Sequence, residues 1–532
     1  MLIKLSIYLF PLSFVISFAL IFIIKNKFSN AYDFLVTNTL NGKLARAFSL
    51  ILLSFIFAEG LASLWNYQSI EYDAEIGTLI ISWLYAHGFP MYQNLNGPKV
   101  YSLLYGPLMY LPASLIFYLG GGLFLCKFIG ISGVIAYIVS LWKLCEKNKY
   151  KNEIFLWGLI CFIFFMQPVM FTSRMDSWLL SLPMLGALFA KQGRFLLITI
   201  AASFAVCIKI TALLYFIPIF AFHFYEKPIK ANNIVISIGV FFTLLICPFI
   251  FLNNVSFDGF IYWLHQASIH GKVYSKFIGI NLYALIIIIP LIVGSGYSRK
   301  NNVLSRKFII ISLVFLFCEL LTSYAATKIG AGSYHIAPYI ATIIVLLSKF
   351  SNDWEYSIEN MLHQSFFAVV LVVFFVVNFQ YVSAIVFTNN KTFAVKVSAE
   401  MIDEMKLFIK DSHDVASSFS IGSGHLNNKQ NTALINLLQL GGQYVINDVV
   451  MWDWKESNIA IPESTLDLFR NCAVKHWLIP SKDKPFHTQS VYKNKLMQYP
   501  YMFTPIEDIF EQVYYKEKEG VYFDLWSCKH VW

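Results

Sequence analysis

The chain repeatedly runs for ten or more residues without a charge, as in Phe308–Phe317 and Phe366–Val377. Hydrocarbon excludes unpaired charge and unsatisfied backbone groups, so apolar runs of about 20 residues read as membrane-spanning helices. Only 13% of the 532 residues are charged, against about 25% in a typical soluble domain. The deficit is uneven, because Lys391–Trp532 has the make-up of an ordinary soluble protein. The predicted architecture is an α-helical polytopic membrane domain, residues 1–388, followed by a small extracytoplasmic α/β domain, residues 389–532.

A net charge of +9 invites a nucleic-acid partner, but the placement of the basic residues argues for membrane topology instead. They cluster in short connections between apolar runs: Lys25, Lys27, Lys43 and Arg46; Lys143, Lys147, Lys149 and Lys151; Lys191 and Arg194; Lys227 and Lys230; Arg299, Lys300, Arg306 and Lys307; Lys349. Positive residues near helix ends are retained on the cytoplasmic side, so these clusters are expected to face inward. Spans then fall near 3–24, 46–65, 122–142, 154–171, 176–190, 195–208, 209–224, 233–252, 277–296, 308–326, 335–350 and 364–388, about twelve in all. The first run lacks a convincing cleavage site and is expected to be a retained helix.

Residues 103–119 would break the alternation that the basic clusters impose. Pro107 and Pro112 each remove a helix donor, and Gly120–Gly122 follows. The segment is expected to lie at the outer interface, within a first extracytoplasmic loop of residues 66–121. In the tail, Ala399–Ile409 and Thr465–Asn471 look helical, and Gln443–Ile446, Trp477–Ile479 and Val521–Trp526 look like strands. Six cysteines lie in or beside the apolar region and read as small apolar fillers. Cys472 and Cys528 fall in the tail and can pair if it is extracytoplasmic.

The loop opens with Glu71, Asp73 and Glu75 immediately beyond a spanning run. A partly desolvated carboxylate among like charges can serve as a general base, while acids also simply favour a first helical turn. His87-Gly88-Phe89-Pro90-Met91-Tyr92 follows, then Tyr105-Gly106-Pro107-Leu108-Met109-Tyr110. This order of an acidic motif, a G-x-P-x-Y turn and Y-G-P-L-x-Y resembles the GT-C superfamily of polytopic glycosyltransferases. The resemblance is to the branch of the protein mannosyltransferases and lipid A aminoarabinose transferases. It implies membrane-parallel helices in the first outer loop and a catalytic Asp near the loop's start. Asp73 is the best match, Glu75 the second and Glu71 the third. Ala74 replaces the acid of the commoner Asp-Glu pair, which leaves the choice between Asp73 and Glu75 open.

Three further motifs follow in the order the resemblance expects, over roughly residues 60–350. Arg174-Met175-Asp176 stands where relatives show R-P-D, and Lys209-Ile210-Thr211 where they show K-x-T. Gly332-Ser333-Tyr334-His335 leads to Pro338, with a shorter spacing than the family pattern. The implied activity is inverting transfer of a sugar from a polyprenyl-phosphate-linked donor to a lipid, glycan or protein acceptor. The implied location is the outer face of a bacterial inner membrane, with no cofactor, metal or nucleic acid assigned. Arg174, Lys209, Lys276 and His335 are the candidates for holding the donor phosphate. Glu71, Tyr92, Tyr105, Tyr110, Asp176 and Tyr334 are the candidates for lining the pocket.

Each residue also has a plainer reading. Arg174 can merely pair with Asp176, and Lys209 can snorkel. His265, His270, Lys272 and Lys276 can be solvated loop residues, and Lys328 stands near an outer helix start. Glu319, a lone carboxylate within a span, is a functional candidate by its cost or a satisfied packing residue. The competing functions are a lipid or sugar transporter, for which no matching halves are visible, and a non-catalytic subunit that docks partners through its tail. No glycine-rich phosphate loop in a strand–turn–helix setting and no zinc-spaced His/Cys cluster appears in the sequence.

Overall fold

Some helix ends coincide with a glycine or a basic residue, as at Gly193 and Lys209. The computed structural model describes residues 43–67, 70, 73–94, 97–148, 150–166, 169–269, 272–298, 306–328, 331–350, 388–422, 430–447, 450, 451, 454, 459–482, 484–486 and 504–529. The predicted spans 3–24 and 364–388, with Glu71 and His270, lie outside these residues, and Asp73 is described by its backbone alone.

In chain order come α1 (Lys43–Trp65), α2 (Asp73–Ala86), α3 (Leu111–Tyr118), α4 (Leu123–Cys145), α5 (Lys151–Met166) and α6 (Asp176–Gln192). Next are α7 (Phe195–Ile208), α8 (Leu213–Glu226), α9 (Ala231–Phe251), α10 (Phe257–Ile269), α11 (Ser275–Ser298), α12 (Arg306–Ala325) and α13 (Ile340–Phe350). The tail supplies α14 (Thr388–Asp411), β1 (Phe419–Ile421), α15 (Gln430–Gln439), α16 (Glu463–Arg470), β2 (His476–Pro480), α17 (Thr504–Val513), β3 (Tyr514–Lys518) and β4 (Phe523–Cys528). The remaining predicted spans each fall on one of these helices.

The described helices differ in length. Among the described residues, Ala45–Trp65, Leu123–Cys145, Ala231–Phe251 and Phe308–Ala325 are long and apolar enough to cross a membrane. Others are short for identifiable reasons. Gly193, at φ 79°, ends α6 in the left-handed conformation that glycine adopts freely. Lys209 is extended at φ −153° and ends α7 after 14 residues, or roughly 21 Å of helix. A 3₁₀ turn, Ile210–Ala212, then leads into α8. The predicted span 335–350 likewise begins as a 3₁₀ turn, Ser333–Tyr339, containing Pro338.

The chain divides into two units. The first comprises the described residues of Met1–Ser63, Phe128–Cys247 and Lys272–Val386, and is a bundle of apolar helices. Gly186 lets Phe216 approach so closely that a Cβ there would stand 2.7 Å from the ring, and Tyr339 packs edge-on against Tyr215 and Phe315. At one end of the bundle, Lys191 Nζ donates to the Leu144 carbonyl at 2.6 Å and to Ser348 Oγ at 2.7 Å. Asn148 donates to the Ser348 carbonyl, and Lys349 pairs with Glu226 at 2.7 Å. Four of the basic clusters therefore share this end. The starts of α6, α8, α11 and α13 gather at the other.

The second unit comprises the described residues of Leu64–Lys127, Pro248–Gly271 and Phe387–Trp532, so the tail does not stand apart from the first outer loop. The predicted interfacial segment is a 3₁₀ turn, Pro107–Met109, followed by α3, with Leu115 and Tyr118 exposed. The tail's sheet has the order β1-β2-β4-β3, with β1 and β2 parallel and the other pairs antiparallel. Trp477, Phe469, Phe486 and Phe510 fill its core. Cys472 and Cys528 form a disulfide. Gln443–Ile446 is not a strand as predicted, because its pairing is divided: Gln443 bridges Ser420 while Ile446 bridges Val100.

Candidate functional site

The turn between α5 and α6 carries Arg174. Thr172 Oγ1 donates to the Val169 carbonyl at 3.1 Å and Ser177 Oγ to the Met170 carbonyl, which closes the turn on itself. Two glycines of α4 admit it. A Cβ at Gly130 would collide with the Thr172 carbonyl, and one at Gly133 would stand 2.7 Å from Ser177 Cβ. Trp178 Nε1 and Ser181 Oγ donate to the carbonyls of Ile129 and Gly133. Arg174 is thereby buried, with its Nε 3.0 Å from Asp176 Oδ2.

At the same end of the bundle, the break between α7 and α8 presents Lys209. Its Nζ lies 3.1 Å from His335 Nδ1, and the His335 ring packs on Tyr334 at 4.3 Å between centroids. Arg174, Asp176 and Lys328 all act electrostatically on Lys209. Arg174, Lys209 and Lys328 act in the same way on His335. Val273 N donates to the Thr327 carbonyl, and Lys276 Nζ approaches the carbonyls of Lys328 and Ala331 at 3.4 and 3.5 Å. Lys209, Lys276, Lys328 and His335 are half-buried. Apolar helix ends thus bring several cationic side chains together near Lys209, an arrangement suited to holding a phosphate by forked and point-charge contacts.

The acidic motif lies in the other unit. Asp73 is the first residue of α2. Glu75 is buried and accepts from Lys127 Nζ of α4 at 2.7 Å. The tyrosines serve the loop's own frame: Tyr92 OH donates to the Tyr105 carbonyl at 2.7 Å and Tyr110 OH to the Leu103 carbonyl at 3.2 Å. Tyr92 and Tyr110 are fully buried, while Tyr105 is half-buried. Lys272 donates to Tyr324 OH, and His265 is exposed. Glu319 accepts from Ser323 one turn along its helix at 2.6 Å, which matches the packing alternative. Among the described residues, no group of three or more His, Cys, Asp or Glu side chains has metal-binding geometry.

Lys127 is not among the motif residues, although a lone lysine inside a predicted span is a signal by its cost. Lys328 carries no motif, and the pairing of the 272–273 and 327–328 backbones shows where that residue belongs.

No known protein family's sequence profile matches the chain, and no curated protein matches it. In structure it is similar to ArnT from Cupriavidus metallidurans bound to undecaprenyl phosphate, at 10% sequence identity and a TM-score of 0.45, over 80% of this chain and 93% of that one.

Proposed function

We propose that this chain is a GT-C-like glycosyltransferase that moves a sugar from a polyprenyl-phosphate-linked donor to a lipid, glycan or protein acceptor, with inversion. The observation that carries the reading is the gathering of Arg174, Lys328 and His335 about Lys209, with Asp176 paired to Arg174, at one end of an apolar helix bundle. Cations are costly near hydrocarbon unless they pair or act. A departing phosphate is a ligand that rewards them, because its charge rises as its bond to the sugar breaks.

In the step proposed, the acceptor hydroxyl oxygen attacks the anomeric carbon from the face opposite the phosphate. Asp73 takes the hydroxyl proton, the carbon–oxygen bond to phosphate breaks, and the electron pair leaves with the polyprenyl phosphate. That product carries one more negative charge than the phosphodiester, and Arg174, Lys209, Lys276 and His335 receive it. Glu75 is already engaged by Lys127, which favours Asp73 over Glu75 as the base. The Cys472–Cys528 disulfide supports a tail in an oxidising compartment outside the cytoplasm, on the side where the acidic loop is proposed to work.

The test is transfer of label from radiolabelled polyprenyl-phosphate sugars in membranes holding the full chain. Label is expected in an extractable acceptor, and Asp73→Asn is expected to abolish it without lowering the amount of protein. Absence of transfer from every donor tried, or parent-level transfer by Asp73→Asn, would overturn the reading.

A further inference from the structure

Glu75 and Lys127 stand 52 residues apart in sequence, yet Lys127 Nζ donates to Glu75 Oε1 at 2.7 Å. Glu75 is 2% exposed and Lys127 5%. Phe124, Leu125 and Phe128 around Lys127 are exposed, so the lysine is turned inward from an apolar surface. Withdrawing both charges from water costs several kcal/mol per ion, and two apolar residues would hold the helices together as well. What an ion pair adds is direction. Beyond Glu75, α2 is held by Leu79, Ile80, Ile81 and Leu84, whose contacts are non-directional and leave its rotation loosely determined.

We propose that the Glu75–Lys127 pair is a positioning device that sets the rotation and depth of the first turn of α2, and with it the placement of Asp73, without itself transferring a proton. Residues two apart on a helix stand about 200° apart around its axis. Holding Glu75 against Lys127 therefore fixes the face on which residue 73 stands. The catalytic consequence rests on the reading of Asp73 as the base, whereas the positional claim does not.

The test uses the full chain in detergent. Glu75→Gln and Lys127→Met each strand one buried polar or charged group and are expected to lower the unfolding temperature. The double variant Glu75→Leu/Lys127→Leu is expected to recover it. Asp73→Cys is then placed in the parent and in the double variant, and its modification by a membrane-impermeant maleimide is timed. A rate changed several-fold in the folded double variant supports positioning, and an unchanged rate overturns it. This readout decides the proposal even if no transfer activity exists. Where transfer is measured with Asp73 present, the double variant is expected to lose about 10²-fold in kcat with donor KM unchanged. Parent-level kcat in that variant would overturn the proposal. If the double variant does not fold, Lys127→Arg, which keeps the charge and alters its reach, supplies the same labelling comparison with the same two outcomes.

Discussion

Lys209 Nζ lies 3.1 Å from His335 Nδ1, across 126 residues of sequence. The contact joins the break between α7 and α8 to the 3₁₀ turn before α13, and Arg174 and Lys328 act electrostatically on both residues.

If this group receives the departing phosphate, its value lies in charge that is already in place when the bond breaks. Lys209→Met is expected to lower turnover by about 10²-fold at saturating donor, in the range seen when one donor is removed from such a site. Lys209→Arg is expected to retain part of the rate. The measurement is initial rate against donor concentration in reconstituted membranes.

Gly130 takes the Arg174 turn against its backbone, where a Cβ would meet the Thr172 carbonyl, whereas Gly239 in α9 has open space at that position. Gly130→Ala is expected to destabilise the chain by about 1–3 kcal/mol, as overpacking does. Gly239→Ala is expected to be neutral or stabilising, because alanine favours helix. Thermal unfolding in detergent compares the two.

The Cys472–Cys528 disulfide closes a sequence separation of 56 residues. Loop-closure entropy makes such a link worth about 4 kcal/mol, so Cys472→Ser is expected to unfold the tail at lower denaturant concentration. The midpoint for loss of tail protection from protease, with and without a reductant, checks this.

Burial pushes the Asp414 carboxyl up, but hydrogen bonding and charge from His476, with Lys475 beside it, more than offset this and hold it below its ordinary value. A carboxyl lowered in the folded state adds stability that is present above its unfolded pKa and lost as pH falls through the folded one. The tail is therefore expected to lose stability as pH falls through and below the ordinary carboxylate range. Asp414→Asn should flatten that dependence while leaving the response above neutrality unchanged. Denaturant titrations of the full chain across that range provide the check.

The helices were largely legible in the sequence. The apolar runs, the Pro107 interruption before α3, and the break at Lys209 all appear in the structure near their expected places. Lys143, Lys191, Lys227 and Lys349, one from each of four basic clusters, lie at one end of the bundle as expected. Crossing length was less legible. Where α7 ends depends on how tightly Lys209 and the 3₁₀ turn fold back, which an apolar run does not encode.

What the sequence by itself determined is where the chain can be helical and which segments avoid water, because those follow from the residues within one turn or one run. Only the tertiary structure decided which distant side chains meet, as with Lys209 and His335 or Glu75 and Lys127. It also divided Gln443–Ile446 between two partners instead of one sheet. Such pairings arise from packing of segments tens to hundreds of residues apart, and local periodicity carries no record of them.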